Sequence, residues 1–282
     1  MNLRKSFLLF ICFMPLFTTA QEWEFGTKAG MMGYIGDLNT ENTFKFNRPA
    51  VAFDLRYAFT PFSGLKLSLM QGSISADDAN SSIESQRLRN LNFESSITEV
   101  ALLYDYYFWP FSPGSGRYKF TPYAFVGISG FLFEPKTEFN GNTVNLRDLG
   151  TEGQGTILNS QEKYSNFALA IPFGVGIKYN FASNFNIGIE LGYRNTFTDY
   201  LDDVSGNYAD KAQLATLSSQ LASDLSDRSA EVNNGTSVAE TFTMRGDNTR
   251  RDFYMFTGVT LTYTLTPIKC PDFKIFKYKK NR

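Results

Sequence analysis

No histidine occurs anywhere in the 282 residues, and only two cysteines do, Cys12 and Cys270. Without histidine, the usual proton relay that activates serine or water is missing, and a zinc site has almost no donors. One of the two cysteines, Cys12, sits in an N-terminal apolar run, so the remaining chain has no intramolecular disulfide to lean on. Long apolar runs are also lacking: past the first twenty residues nothing reaches the roughly twenty apolar positions of a membrane helix, and the mean hydropathy is -0.23. Charge of one sign is absent as well, with a net charge of -1 and a pI near 5.7, which leaves nucleic-acid binding without electrostatic support.

What is present begins with an export signal. Arg4 and Lys5 precede the apolar run from Phe7 to Phe17, and Thr18-Thr19-Ala20 offers a small-residue cleavage site before Gln21. A signal peptide over residues 1–20 is therefore expected. Cys12 lies inside the apolar core after Ile11, so a lipoprotein site is set aside.

The body of the chain alternates. From Phe167 to Phe181 every second residue is large and apolar, while Ala168, Ala170, Pro172, Gly174, Gly176, Lys178 and Asn180 fill the other face. The pattern resumes after Ala182-Ser183 with Phe185, Ile187, Ile189, Leu191 and Tyr193. It recurs from Val51 to Phe59, from Leu65 to Leu69, from Val100 to Phe108, and through Phe253, Met255, Val259, Leu261, Tyr263 and Leu265. Weaker strands are expected over Glu22 to Gly33 and Phe120 to Phe133, where glycines blur the period.

In water the apolar side of every strand would be exposed; in a membrane, a closed antiparallel barrel resolves the conflict. The fold expected is all-β, an eight-stranded transmembrane barrel over residues 21–266.

Link lengths orient it. Short links near Pro61-Ser63, Pro110-Tyr118 and Ala182-Ser183 suit periplasmic turns. Long links near Tyr34-Arg48, Ile74-Asn92, Glu134-Ser165 and Thr198-Arg251 suit outward loops. Both termini then lie in the periplasm. Aromatic girdles are expected at Tyr57, Phe59, Phe108, Trp109, Tyr179, Phe181 and Tyr263 on the inner side, and at Phe133, Phe167, Phe197 and Phe253 on the outer.

The inward faces carry Glu24, Asp54, Glu99, Asp105 and Glu190 against Lys28, Arg56, Lys66, Lys178 and Arg194. In so narrow a lumen, balanced charges are expected to pair and close it rather than form an ion path. No nucleophile elbow or P-loop accompanies them, so no enzyme is expected. Gly150-Thr151-Glu152-Gly153-Gln154-Gly155 shares only glycine content with a phosphate cradle and reads as a compact loop.

Asp199, Asp202, Asp203 and Asp210 raise calcium; lacking EF-hand spacing, they read instead as a solvated acidic loop capping the helix that follows. That helix, Tyr208 to Ser226, would set Leu214, Leu217, Leu221 and Leu225 on one stripe, either packed over the barrel mouth or open to a partner. No cofactor or metal is expected. Residues 267–282 form a basic tail in which Lys269, Lys274, Lys277, Lys279, Lys280 and Arg282 face only Asp272. It is either a solubilising end or a dock for an acidic periplasmic partner, and docking is the reading preferred.

Several loop and strand motifs, taken in order, resemble a known group. They are YIGDLN at Tyr34-Asn39, NRPA at Asn47-Ala50 (with Asn47, Arg48 and Pro49), LRNLNF at Leu88-Phe93 and LGTEGQG at Leu149-Gly155 (with Thr151, Glu152 and Gln154). IPFGVGIKY at Ile171-Tyr179, FTDYLDDVSGNY at Phe197-Tyr208 (with Asp199, Tyr200, Asp202 and Asp203), DRS at Asp227-Ser229 and FYMFTGVTLTY at Phe253-Tyr263 complete the set. Together they resemble the PorG-like outer-membrane proteins of the type IX secretion apparatus of Bacteroidetes-type bacteria. The resemblance implies a non-enzymatic barrel, set in outer-membrane lipid, that associates with a periplasmic ring of a lipoprotein and its partner subunit and serves secretion and gliding. The alternative is a free-standing small barrel of the OmpA, OmpX or OmpW sort, serving adhesion, envelope stability or passage of small apolar molecules.

Overall fold

The computed structural model describes residues 22–114 and 117–265. The expected signal peptide and the basic tail lie outside the described residues. Among the described residues nine strands are formed: β1 (Glu22–Ile35), β2 (Phe46–Thr60), β3 (Ser63–Asp77), β4 (Asn92–Tyr107), β5 (Phe120–Phe139), β6 (Asn142–Asn145), β7 (Phe167–Ala182), β8 (Phe185–Thr196) and β9 (Phe253–Leu265). Eight of them close on themselves in the antiparallel order β4-β3-β2-β1-β9-β8-β7-β5, with β5 returning to β4; β6 is a short addition to the upper end of β5. The result is the expected eight-stranded antiparallel barrel, and closure removes every long free edge.

The period of two decides which way each residue points. Outward positions such as Phe53, Leu67, Leu102, Ile128, Val175, Ile189 and Leu261 are exposed and form one continuous apolar girdle around the wall. A belt of that extent has no place in water and matches a bilayer core about 25–30 Å thick. Trp23, Tyr57, Phe59, Tyr106, Phe108, Tyr179, Phe181 and Tyr263 gather at the end with the short turns, several of them in ring contact. Both ends of the described chain lie there too, since Trp23 pairs with Leu265 and Glu22 with Ala58.

At the other end the girdle requires two corrections. Phe133 does not face lipid: it is buried in the lumen, where the Tyr164 ring stacks on it with centroids 6.0 Å apart. Met255, expected on the outward face, is fully buried between Gly33 and Tyr193 of the neighbouring strands.

Several strands also climb higher than their apolar alternation. β3, β4 and β5 run on as a ladder from Ser73↔Ser96 to Asp77↔Asn92 and from Ser96↔Glu134 to Glu94↔Lys136, with polar outer faces. The β7 and β8 ladder stops at Ala170↔Thr196, close to the exposed Phe167 and Phe197. Only the inner face is apolar there, with Ile74, Ala76, Phe93 and Phe133 buried, and without an apolar outer face these extensions lack the lipid-facing signal and read as loop in the sequence.

Candidate functional site: a filled lumen under a four-loop cap

Side chains fill the barrel in layers. Nearest the short turns, Lys178 is paired with Glu24 and donates to the Tyr107 hydroxyl at 2.9 Å. Beside them Arg56 grips Asp105 through two hydrogen bonds of 2.7 and 3.0 Å while its guanidinium lies 4.4 Å over the Tyr107 ring. In the next layer Glu190 receives Lys28 at 2.6 Å, Lys66 at 3.0 Å and the Tyr123 hydroxyl at 3.0 Å, and Lys28 also reaches Asp54 at 3.0 Å. Above it, Arg194 pairs with Glu99 at 3.3 Å, and the Tyr254 hydroxyl donates to the same carboxylate at 2.5 Å.

All ten inward charges named from the sequence are buried and each has an opposite partner. The sequence signalled which residues face inward but not the three tyrosines that complete the network.

Glycine makes the packing possible: a Cβ on Gly176 would lie 2.4 Å from the Tyr123 ring, so only glycine leaves room for that ring there. Over the charges lies an apolar layer that includes Met32, Ile74, Ile97, Phe131, Phe133 and Phe256. With the bore so filled, a planar bilayer holding the protein is expected to show no steady porin-scale current. A sustained open-channel conductance would contradict the filled lumen.

The outer loops then fold inward as a cap. Arg89, on the short helix Glu84–Arg89, clamps Asp78 with hydrogen bonds of 2.7 and 2.8 Å and donates to the carbonyls of Asp37 and Arg245 at 2.9 and 2.8 Å, tying three loops together. The glycine loop is compact as expected, with Gly150, Gly153 and Gly155 all at positive φ. Its Thr151 hydroxyl donates to Asp203 at 2.5 Å. Its Glu152 accepts from the Ser205 and Gly206 amides at 2.9 and 3.0 Å and from Arg245 at 3.0 Å. Gln154 is buried and accepts from the Glu152 amide at 3.1 Å. Tyr164 donates to Asp203 at 2.7 Å and stacks against Tyr200 with centroids 4.6 Å apart.

The motif residues Thr151, Glu152, Gln154, Tyr200 and Asp203 thus meet in one cluster, beside Asp202, whose carboxylate stands 2.6 Å from the Tyr34 hydroxyl. Asn47, Arg48 and Pro49 do not. They sit on the outer wall where β2 and β3 part above Ala50↔Gly72. There Asn47 and Arg48 bridge to Ser75 at 3.0–3.1 Å, Arg48 pairs with Glu94 at 2.6 Å, and the parting opens a groove of about 810 Å³.

Two expectations for the fourth loop are corrected. Asp202 and Asp203 are not solvated; both are buried. Burial pushes Asp203 up to about 6 despite Arg245 beside it, and pushes Asp199 up to about 7 with Asp37 and Glu152 nearby. The helix Tyr208 to Ser226 is in fact two, Lys211–Leu217 and Gln220–Ser226. Asp210, inside the expected helix, instead caps the first by accepting from the Gln213 amide at 2.8 Å, and the Ser219 hydroxyl opens a second cap by accepting from the Ala222 amide at 3.0 Å. The leucine stripe breaks with the helix: Leu214 and Leu225 are buried while Leu217 is exposed. Sequence reading also missed Tyr34, Asp37, Arg89, Arg245 and Asp252 as cap residues, although Tyr34 and Asp37 lie in the YIGDLN motif.

Wall, plug and cap define an integral membrane barrel of the outer-membrane type whose lumen is sealed. The chain belongs to the DUF6089 family, a domain of unknown function, whose profile matches residues 4–244. A comparison with curated proteins gives no match. Among solved structures the chain is similar to Ail, the attachment invasion locus protein of Yersinia pestis, solved with the heparin analogue sucrose octasulfate (10% identity, 88% of this chain and 100% of that one, TM-score 0.41). It is also similar to the N-terminal barrel domain of Pseudomonas aeruginosa OprF (11%, 88% and 100%, TM-score 0.37). A third is Escherichia coli outer membrane protein W (13%, 86% and 97%, TM-score 0.35).

Proposed function

We propose that this protein is a non-enzymatic outer-membrane scaffold of the type IX secretion and gliding machinery, of the PorG-like kind, bound to a periplasmic ring. The order and spacing of its loop and strand motifs carry this reading, and those motifs belong to the same chain whose bore is filled by paired charges. A filled bore favours holding a neighbour over passing a solute.

In this arrangement residues 1–20 are removed on export, the four-loop cap faces outward, and both termini lie in the periplasm. The basic tail, residues 267–282, then points at the ring. Its six bases would meet an acidic ring surface through individually weak, salt-screened attractions, so several must act together.

Neutralising Lys274, Lys277, Lys279 and Lys280 together is expected to reduce ring co-purification severalfold and slow secretion while the barrel still inserts. Deleting the gene is expected to stop secretion and gliding. Intact secretion after deletion would overturn the machine assignment in favour of a free-standing small barrel. A normal tail variant beside a defective deletion would move the ring contact to the periplasmic turns.

A further inference from the structure

One hydroxyl in the cap serves two carboxylates. Tyr34, near the top of β1, stands 2.6 Å from Asp202 Oδ2 and 2.8 Å from Asp252 Oδ1. The other oxygen of each acid is already taken: Asp202 Oδ1 accepts the Val204 amide at 3.0 Å and Asp252 Oδ2 the Leu201 amide at 2.9 Å. Both acids and the tyrosine are buried. A phenol carries one hydrogen and can donate to only one of them. The second contact requires a proton on a carboxyl, which then donates to the phenol oxygen. Space is kept for this arrangement by Gly36, where a Cβ would fall 2.0 Å from both Asp252 Oδ1 and the Tyr34 hydroxyl.

We propose that Tyr34, Asp202 and Asp252 form a proton-binding lock in which a single shared proton pins the base of the fourth outer loop to the barrel wall, so that its release loosens the cap on the outer face. The lock joins β1 to both ends of the longest loop, since Asp202 lies six residues past β8 and Asp252 directly precedes β9. Losing the proton leaves one hydrogen between two buried anions, so the closed cap is favoured while the proton is held and weakens as pH rises.

The surroundings keep it held. Burial places both acids well above the usual carboxylate range; Asp37 from the first loop adds to this at Asp202, where Arg89 from the second loop opposes it, and Asp202 and Asp199 add to it at Asp252. Asp78 of the second loop, paired with Arg89, Glu152 from the third loop, and Asp203, Arg245 and Asp247 from the fourth stand around them.

The test uses the full mature chain in detergent micelles and follows protease nicking within residues 197–252 from pH 7 to 9, normalised to an unstructured substrate. Asp203 has largely titrated at the start of this range and Asp199 by about pH 8, so the slope is read between pH 8 and 9. One proton released on opening makes the nicking rate climb about tenfold per pH unit. Asp202→Asn supplies a permanent donor to the phenol and keeps an acceptor for the Val204 amide, so it is expected to flatten the slope; Asp252→Asn does the same by symmetry. Asp199→Asn is expected to leave it. A flat wild-type profile, which needs no variant, overturns the proposal. So does a full slope in both Asn variants that retain heat-modifiable gel mobility, or a slope lost in Asp199→Asn alone.

Discussion

Glu190→Gln is expected to destabilise the folded barrel by about 3–5 kcal/mol, the cost of removing one partner from a buried ion pair. Glu190 is completely buried and is the shared acceptor of Lys28, Lys66 and Tyr123. Lys28 would retain Asp54, but Lys66 has no other ion pair within 4 Å among the described residues. The glutamine therefore leaves an ammonium stranded across the bore. Adding Lys66→Met to Glu190→Gln removes the stranded charge and is expected to recover a large part of the loss, which a double-mutant cycle would measure directly. Urea unfolding of the micellar protein, followed by the fluorescence of Trp23 and Trp109, supplies the free energies. A Glu190→Gln variant within about 1 kcal/mol of wild type would mean that water reaches this layer and screens it.

Arg245→Met is expected to open the cap and spare the barrel. Arg245 is buried and donates to Glu152 Oε1 at 3.0 Å, the Asp203 carbonyl at 2.6 Å and the Ser226 carbonyl at 3.0 Å. Its guanidinium sits between Glu152 and Asp203, and the thioether replaces none of its bonds. Glu152 and Asp203 would then lose their cation, again a cost of about 3–5 kcal/mol but confined to the loops. Nicking within residues 197–252 should rise by two to three orders of magnitude, on the order of the 1.4 kcal/mol per decade relation, discounted for solvent entering the opened cap. The urea midpoint of the barrel should hardly move, because the lumen pairs lie in a separate layer. Loss of the heat-modifiable gel form in this variant would show that cap and wall fold as one unit.

The barrel was legible in the sequence because lipid outside and packed side chains inside enforce a strict period of two. The ten inward charges follow from the same alternation. Their partners do not, since Lys28 meets Glu190 at a separation of 162 residues, a pairing set by closure and stagger that no local pattern records. Phe133 misled because an aromatic at a strand end suggests a girdle, whereas Tyr164 from the third loop reaches in and stacks on it. The acids of the fourth loop misled for a related reason. Acidic loops are normally solvated, and only the tertiary arrival of Arg245, Arg89 and Tyr34 makes a buried acid tolerable there. The long helix failed at Ser218-Ser219, where the Ser219 hydroxyl offers the backbone a cap in place of another turn and the Ser218 hydroxyl turns to the Leu149 carbonyl.

The uneven height of the wall gives the molecule a bearing. On the arc formed by β3, β4 and β5, hydrogen-bonded wall continues past the apolar girdle up to Asp77↔Asn92 and Glu94↔Lys136, while on the arc of β7 and β8 it ends near Phe167 and Phe197. A cylinder of equal rim could turn about its axis and offer every neighbour the same face. This one presents a polar parapet to one quarter of the membrane plane and bare girdle to another, so rotation about its own axis changes what an adjacent protein or lipid headgroup meets.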